Sequence, residues 1–226
     1  MYRDKIVNKP WGHEYLVYEN DEVGLWFLQI KEGQQTSMHC HPKKTTGLVL
    51  LDGNAQVSFL ADSKILDPIS KLMIRRGLFH STKAINNDAF IFEIETPKDK
   101  HDLVRLNDSY GRENNEYEGK SFEEPKSKDN LWIKEPVLGE SVSYEFCNTN
   151  ILVETIDNID VINNKKDTDL IMFLKGGMVR NLNNKQHKVT TPGDVGFGNI
   201  IKKVSNQLDT VVEGTIILTI TKLNEK

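Results

Sequence analysis

Two histidines at i and i+2, His39 and His41, lie in Gly33-Gln34-Gln35-Thr36-Ser37-Met38-His39-Cys40-His41, and a third, His80, closes Arg75-Arg76-Gly77-Leu78-Phe79-His80. Side chains alternate faces along a strand, so the pair presents both imidazoles to one side, where neutral ring nitrogens are the commonest protein ligands for a transition metal. The chain has six histidines. His13, His101 and His187 lack such spacing and read as surface or hydrogen-bonded residues, which leaves His39, His41 and His80 as the expected ligands of one divalent metal (Zn, Fe, Mn or Ni). Cys40 faces away on a regular strand and reads as a small buried residue rather than a fourth ligand.

The elements that must position these residues are strands. Short β-rich runs bounded by Gly, Asn, Asp and Lys recur: residues 15–18, 25–30, 47–51, 55–59 and 89–94. Their spacing predicts an all-β fold, an antiparallel sandwich or barrel. Residues 113–130 are almost wholly polar and contain Pro125, the composition of a linker. The second half then echoes the first. Ile171-Met172-Phe173-Leu174-Lys175-Gly176 matches Val49-Leu50-Leu51-Asp52-Gly53 in outline, and the run from Lys188 to Asp194 matches that from Lys71 to Gly77. The expected organisation is a metal-binding domain over 1–112, a polar linker over 113–130 and a duplicate without the histidine cluster over 131–226.

Composition excludes several partners. The 226 residues carry 29 Lys plus Arg against 33 Asp plus Glu, a net charge of −4, with no basic block to follow a phosphate backbone, so nucleic acid is not expected. Neither of the two cysteines, Cys40 and Cys147, lies in a CxxC pair, which fits a reducing cytoplasm. No run approaches the roughly 20 apolar residues of a membrane span, and the start Met1-Tyr2-Arg3-Asp4-Lys5 leads into no apolar signal region. A cytoplasmic protein is expected, and a homodimer if exposed sheet edges pair.

With these residues in place, the chain resembles the cupin superfamily: Gly33, His39-x-His41 and Gly53 resemble its first motif, and Gly77-x-x-His80 the core of its second. Within it, Lys9-Pro10-Trp11-Gly12, the HxH segment and Asp102-Leu103-Val104-Arg105-Leu106-Asn107-Asp108-Ser109-Tyr110-Gly111-Arg112 look like the type II mannose-6-phosphate isomerase group, over residues 9–112. The resemblance implies a double-stranded β-helix, or jelly roll; with the internal echo, two tandem cupin-like barrels result. It departs from the pattern at Thr46, where such cupins usually carry a glutamate ligand, and at Arg75 and Ala84 in the second motif.

The implied chemistry is aldose–ketose isomerisation of a sugar phosphate or nucleotide-linked sugar in surface-carbohydrate metabolism. That reaction needs a general base and a group that stabilises an enediolate oxygen, and a metal suits the second task. Because Thr46 replaces the glutamate, the base candidates are Glu93 and Glu95, which share one strand face, and Lys44 beside the HxH; a strand edge and a solvated loop are the plainer roles for them. Arg75, Arg105 and Arg112 are candidates to grip an anionic substrate with planar guanidinium forks. Arg112 has a second reading, an ion-pair network with Asp102, Arg105 and Asp108. Two other functions fit the residues: three histidines around Fe(II) in an oxygen-using cupin, and a non-catalytic sugar-binding cupin.

Overall fold

The computed structural model describes residues 2–112, 122–183 and 185–223. It divides into two units, Met1–Trp132 and Ile133–Lys226, both built almost wholly from antiparallel strands, as the alternating patterns predict.

The first unit comprises β1 (Lys5–Lys9), β2 (Gly12–Glu19), β3 (Gly24–Ile30), β4 (Met38–Cys40), β5 (Thr45–Asp52), β6 (Ala55–Ser58), β7 (Ser63–Leu66), β8 (Ser70–Ile74), β9 (Ser81–Ala84), β10 (Ala89–Thr96), β11 (Val104–Asn107) and β12 (Glu123–Pro125). A seven-stranded sheet runs β12-β1-β2-β3-β10-β5-β8, with a three-stranded sheet β7-β6-β9 and the pair β11-β4. Trp26, Leu28 and Ile30 of β3, Leu48 and Leu50 of β5 and Ile91 of β10 bury one face of the large sheet against Ala55, Val57, Leu66 and Ala84 of the small one. Period-two alternation carries the same inward face on to Thr46, Glu93 and Glu95. The barrel is therefore apolar at one end and charged at the other.

The segment expected as a linker lies, for residues 113–121, outside the described residues. Its remainder includes β12, paired with β1 through Lys5↔Pro125, Ile6↔Glu124 and Val7↔Glu123 and tied by a Lys5–Glu123 ion pair. An edge strand held by main-chain bonds needs no apolar face, so its polar composition concealed it. Trp132 also packs on the first unit's core, which puts the division between the units at Trp132–Ile133.

The second unit comprises β13 (Ser141–Phe146), β14 (Thr149–Ile156), α1 (Asp160–Asn163), β15 (Leu170–Lys175), β16 (Met178–Leu182), β17 (Lys185–Lys188), β18 (Val195–Phe197), α2 (Gly198–Ser205), β19 (Thr210–Val211) and β20 (Thr215–Lys222). Its sheets run β13-β14-β20-β15-β18 and β17-β16-β19. That order reproduces β2-β3-β10-β5-β8 and β7-β6-β9 strand for strand, so the echo read in the sequence is a repeat of topology. Two insertions differ. Helix α1 occupies the connection that corresponds to the HxH segment, and α2 the one that corresponds to Gly77–His80. Their Ile162 and Ile201 join Ile156, Ile171, Phe173, Met178, Val211 and Ile217 in an apolar cluster.

The Gly turn after β5 is enforced twice over. Gly53 has φ +81° and a Cβ there would stand 2.1 Å from the Asp88 carbonyl oxygen, whereas Gly77, at φ +71°, meets nothing within 4 Å. Gly77→Ala should cost about 1–2 kcal/mol, the left-handed penalty alone, and Gly53→Ala distinctly more, because backbone must also move. Urea denaturation of both variants checks the order.

Candidate metal centre

His39 lies in β4 and His41 just beyond it, while His80 immediately precedes β9. The His39 and His80 main chains form an antiparallel pair, His39 N–H donating to His80 O at 3.0 Å and His80 N–H to His39 O at 2.8 Å. Directly paired residues project to one face. His41 reaches that face two residues on, and the ring centroids stand 4.5 Å (His39–His80), 4.9 Å (His39–His41) and 5.5 Å (His41–His80) apart. The three ligand nitrogens lie within 4.8 Å of one another. Cys40 is buried and pairs through its main chain with Val104, as the alternation predicts.

Each ring is oriented by a main-chain carbonyl. His39 Nδ1 donates to Ser37 O at 2.7 Å, His41 Nδ1 to Asp102 O at 2.6 Å and His80 Nδ1 to Leu78 O at 3.0 Å. A carbonyl only accepts, so every Nδ1 carries the proton and every Nε2 keeps its lone pair. His41 Nε2 is buried and has no hydrogen-bond partner among the described residues, an orphan that a metal would satisfy. Burial, chiefly, lowers all three histidines: His80 to about 4, His41 to about 2, and His39, beside His80 and His41, well below its usual range. The donor set is neutral and ready for a cation.

Around it opens a cavity of about 60 Å³ lined by His39 and His41 with Lys9, Trp11, Glu14, Lys44, Glu93, Lys100, Arg105 and Arg112. Glu14 Oε1 meets Lys9 Nζ at 3.6 Å and Lys100 Nζ at 3.3 Å, and Lys100 lies 3.7 Å over the Trp26 ring. Burial alone would lower the Lys100 pKa, but Glu14, Glu95 and Glu93 outweigh it and hold the ammonium above its usual value. For Glu93 burial dominates and raises its carboxyl, against the pull of Lys100 and Lys44.

The residues singled out in the sequence separate here. Glu93 faces the cavity. Glu95 is spent: one oxygen accepts from Trp26 Nε1 at 3.0 Å and the other pairs with Lys44, whose Nζ also donates to Asp99 O at 3.0 Å. Strand β10 runs between β3 and β5, so Glu93 and Glu95 do not sit on a sheet edge, and Lys44 is buried rather than solvated. Thr46 is buried beside Glu95. Arg105 lines the cavity in register with His39. Arg112 lines it too, but its guanidinium grips Asp108 through Nε at 3.0 Å and a terminal nitrogen at 2.7 Å, the ion-pair reading. Arg75 is exposed beyond β8 and is not among the cavity-lining residues.

Lys9, Glu14 and Lys100 were not singled out as site residues: Lys9 and Glu14 come from β1 and β2, and Lys100 follows β10. Asp102, first residue of the D-x-V-R string, accepts from Lys43 N–H at 2.9 Å and Lys44 N–H at 3.0 Å through its carboxylate, and its own carbonyl orients His41.

No family model matches the sequence, and no curated protein matches it. Solved structures do. KdgF from a Halomonas species aligns at 14% identity over 40% of this chain and 84% of that one, TM-score 0.39. A cupin-2 domain protein of Shewanella frigidimarina aligns at 18% over 39% and 83%, TM-score 0.35. A protein of Acidithiobacillus ferrooxidans, provisionally described as a sugar phosphate isomerase, aligns at 18% over 34% and 52%, TM-score 0.32. The strand order of the first unit's facing antiparallel sheets is that of a double-stranded β-helix.

Two outcomes follow from this geometry. Asp102→Ala keeps the carbonyl that orients His41 but removes the carboxylate that ties this segment to the Lys43 and Lys44 N–H groups, so it should lower metal affinity no more than about 10-fold, against near-complete loss in His39→Ala, both read by metal content after dialysis. Acid should also weaken the metal-free fold. The unfolded chain protonates its histidines as pH falls through 6.5, while the folded chain holds His80 neutral to about 4 and His41 to about 2. The unfolded state then binds more protons, so stability drops as pH falls from about 6.5 towards 4. Denaturation across that range should show the slope, and His80→Gln should flatten it.

Proposed function

We propose that this protein is a metal-dependent cupin enzyme that moves a proton at a carbon next to a carbonyl, as in aldose–ketose isomerisation. The observation that carries the reading is one carboxylate, Glu93, facing the cavity that His39 and His41 line, beside the cluster that they form with His80. The substrate class is the one the sequence resemblance implies, a sugar phosphate or nucleotide-linked sugar of surface-carbohydrate metabolism.

When bound, a divalent metal supplies Lewis-acid polarisation of a carbonyl oxygen and stabilises negative charge on it. His39, His41 and His80 would hold it through Nε2. Glu93 takes the proton from the carbon and returns it to the neighbouring carbon. Its raised pKa suits both halves of that task, since a carboxylate nearer neutrality is a stronger base and a ready acid. Lys100 and Lys44 pull it back towards the charged form. Trp11 and Leu28 in the wall limit water around the exchanging proton.

The test is exchange of solvent deuterium into a substrate C–H bond, followed by NMR with metal-loaded protein and a set of aldose and ketose phosphates. Exchange should occur, and Glu93→Gln should slow it by about 10²- to 10⁴-fold with metal content unchanged. Exchange equal in the variant removes Glu93 from the reaction. Ligand-dependent thermal stabilisation with no exchange in either protein would make this a sugar-binding cupin instead.

A further inference from the structure

We infer that the metal and residues 102–112 are ordered together, so that loading the metal builds the arginine-bearing wall of the cavity. The inference rests on the metal-centre reading above and concerns which part of the chain the metal organises.

Residues 102–112 form a strap along the HxH segment, tied to it at both ends and in the middle. At its start the Asp102 carbonyl accepts from His41 Nδ1 at 2.6 Å, and the Asp102 carboxylate from Lys43 N–H at 2.9 Å and Lys44 N–H at 3.0 Å. In the middle β11 pairs with β4, Val104 opposite Cys40 and Arg105 opposite His39. Near its end the Tyr110 hydroxyl donates to Gln34 Oε1 at 2.8 Å, and Ser109 Oγ accepts from Gln35 Nε2 at 2.7 Å. Two of the three histidines are thus held by the strap, His39 through its main chain and His41 through its ring. His80 is held from elsewhere, its main chain by His39 and its Nδ1 by Leu78 O.

The ladder between strap and HxH segment is short. Strand β4 has three residues and β11 four, the register shifts between Arg105 and Asn107, and Val104 and Leu106 are exposed. A two-stranded pairing with outward side chains in solvent opens locally at low cost. Opening removes the carbonyl that fixes the His41 tautomer and the strand that fixes the direction of His39. Conversely, a cation on His41 Nε2 polarises the ring and makes Nδ1–H a stronger donor to Asp102 O. By linkage, the factor that strap closure adds to metal affinity is the factor that metal adds to strap closure. Arg105 and Arg112 ride on this strap and line the cavity, so both arginines are placed by the same event that fills the histidines.

The experiment is hydrogen–deuterium exchange by mass spectrometry on the full chain, with Zn(II) and after removal of metal by a chelator. Peptides covering residues 102–110 should exchange about tenfold or more slowly with zinc, and those covering β14 of the second unit should not change. His80→Gln removes a ligand that the strap does not hold, so it should abolish the zinc effect on the strap and leave its metal-free exchange as it was. Tyr110→Phe, which deletes the hydroxyl bond at the strap's far end, should speed metal-free strap exchange and lower zinc affinity by the same factor. Strap exchange unchanged by zinc in protein that binds it stoichiometrically overturns the inference and leaves the metal centre standing. So does protection that persists in His80→Gln, or unchanged zinc affinity in a Tyr110→Phe protein whose strap exchanges faster. Failure of the unaltered protein to bind zinc or any other divalent transition metal overturns the metal centre, and the inference with it.

Discussion

The site depends on one pair of main-chain hydrogen bonds, those that His39 and His80 exchange. Because each histidine is directly opposite the other, their side chains leave the sheet together, and His41 follows by strand periodicity alone. A one-residue slip of β4 against the segment before β9 would turn His39 and His41 away and bring Cys40 to the cavity. The same strand register aligns Thr36 N–H with Thr82 O at 2.9 Å and Ala84 N–H with Gln34 O at 3.0 Å, so the contacts that fix the centre continue along the barrel. All three orienting acceptors are main-chain carbonyls as well. The tautomers are consequently a property of the backbone path, and substitutions that keep the path keep the ligand set.

The charged end of the barrel is sustained by the apolar end. Along β5 the inward residues run Leu50, Leu48, Thr46, and along β10 Ile91, Glu93, Glu95, so each strand passes from core to site with no change of face. Burying an ion pair seldom adds net stability, and the Lys44–Glu95 pair with its Trp26 and Asp99 bonds is better seen as a satisfied support than as a source of it. Its effect is positional. By occupying both Glu95 oxygens it leaves Glu93 as the carboxylate of that strand exposed to the cavity, which is how two glutamates two residues apart acquire different roles.

Much of this was legible in the residues. The i, i+2 histidines, the third histidine after a Gly turn, the alternating runs and the echo of the first half's strands in the second all report local rules, period two above all, and local rules survive folding. The pairing of Arg112 with Asp108 was also readable, since four residues of a turn-forming string hold both partners. What was hidden is set by long-range pairing. Nothing near Lys44 announces Glu95, 51 residues away, and nothing near Glu14 announces Lys100. Glu93 and Glu95 are alike in sequence, and only their neighbours across β3 and β5 separate them. The polar strand β12 escaped for the opposite reason: its stabilisation is in the backbone, where composition carries no signal.

The second unit shows what the fold does when the centre is absent. Its strands keep the order of the first, but the two connections that would carry the histidines carry α1 and α2, and Ser205 of α2 donates to Asn163 of α1 at 2.6 Å. An empty polar cavity without a ligand would leave donors and acceptors to be satisfied by water alone, whereas Ile162 and Ile201 extend the apolar core into that end of the barrel. Gly196 and Gly198 accommodate the plug, because a Cβ at either would stand 2.5 Å from the Ile201 side chain or 2.0 Å from the Lys166 carbonyl. The helices are thus fitted to the space rather than draped over it. One scaffold has taken two solutions at the same end, ligands in one copy and hydrocarbon in the other, and the strand order common to both is indifferent to which is chosen.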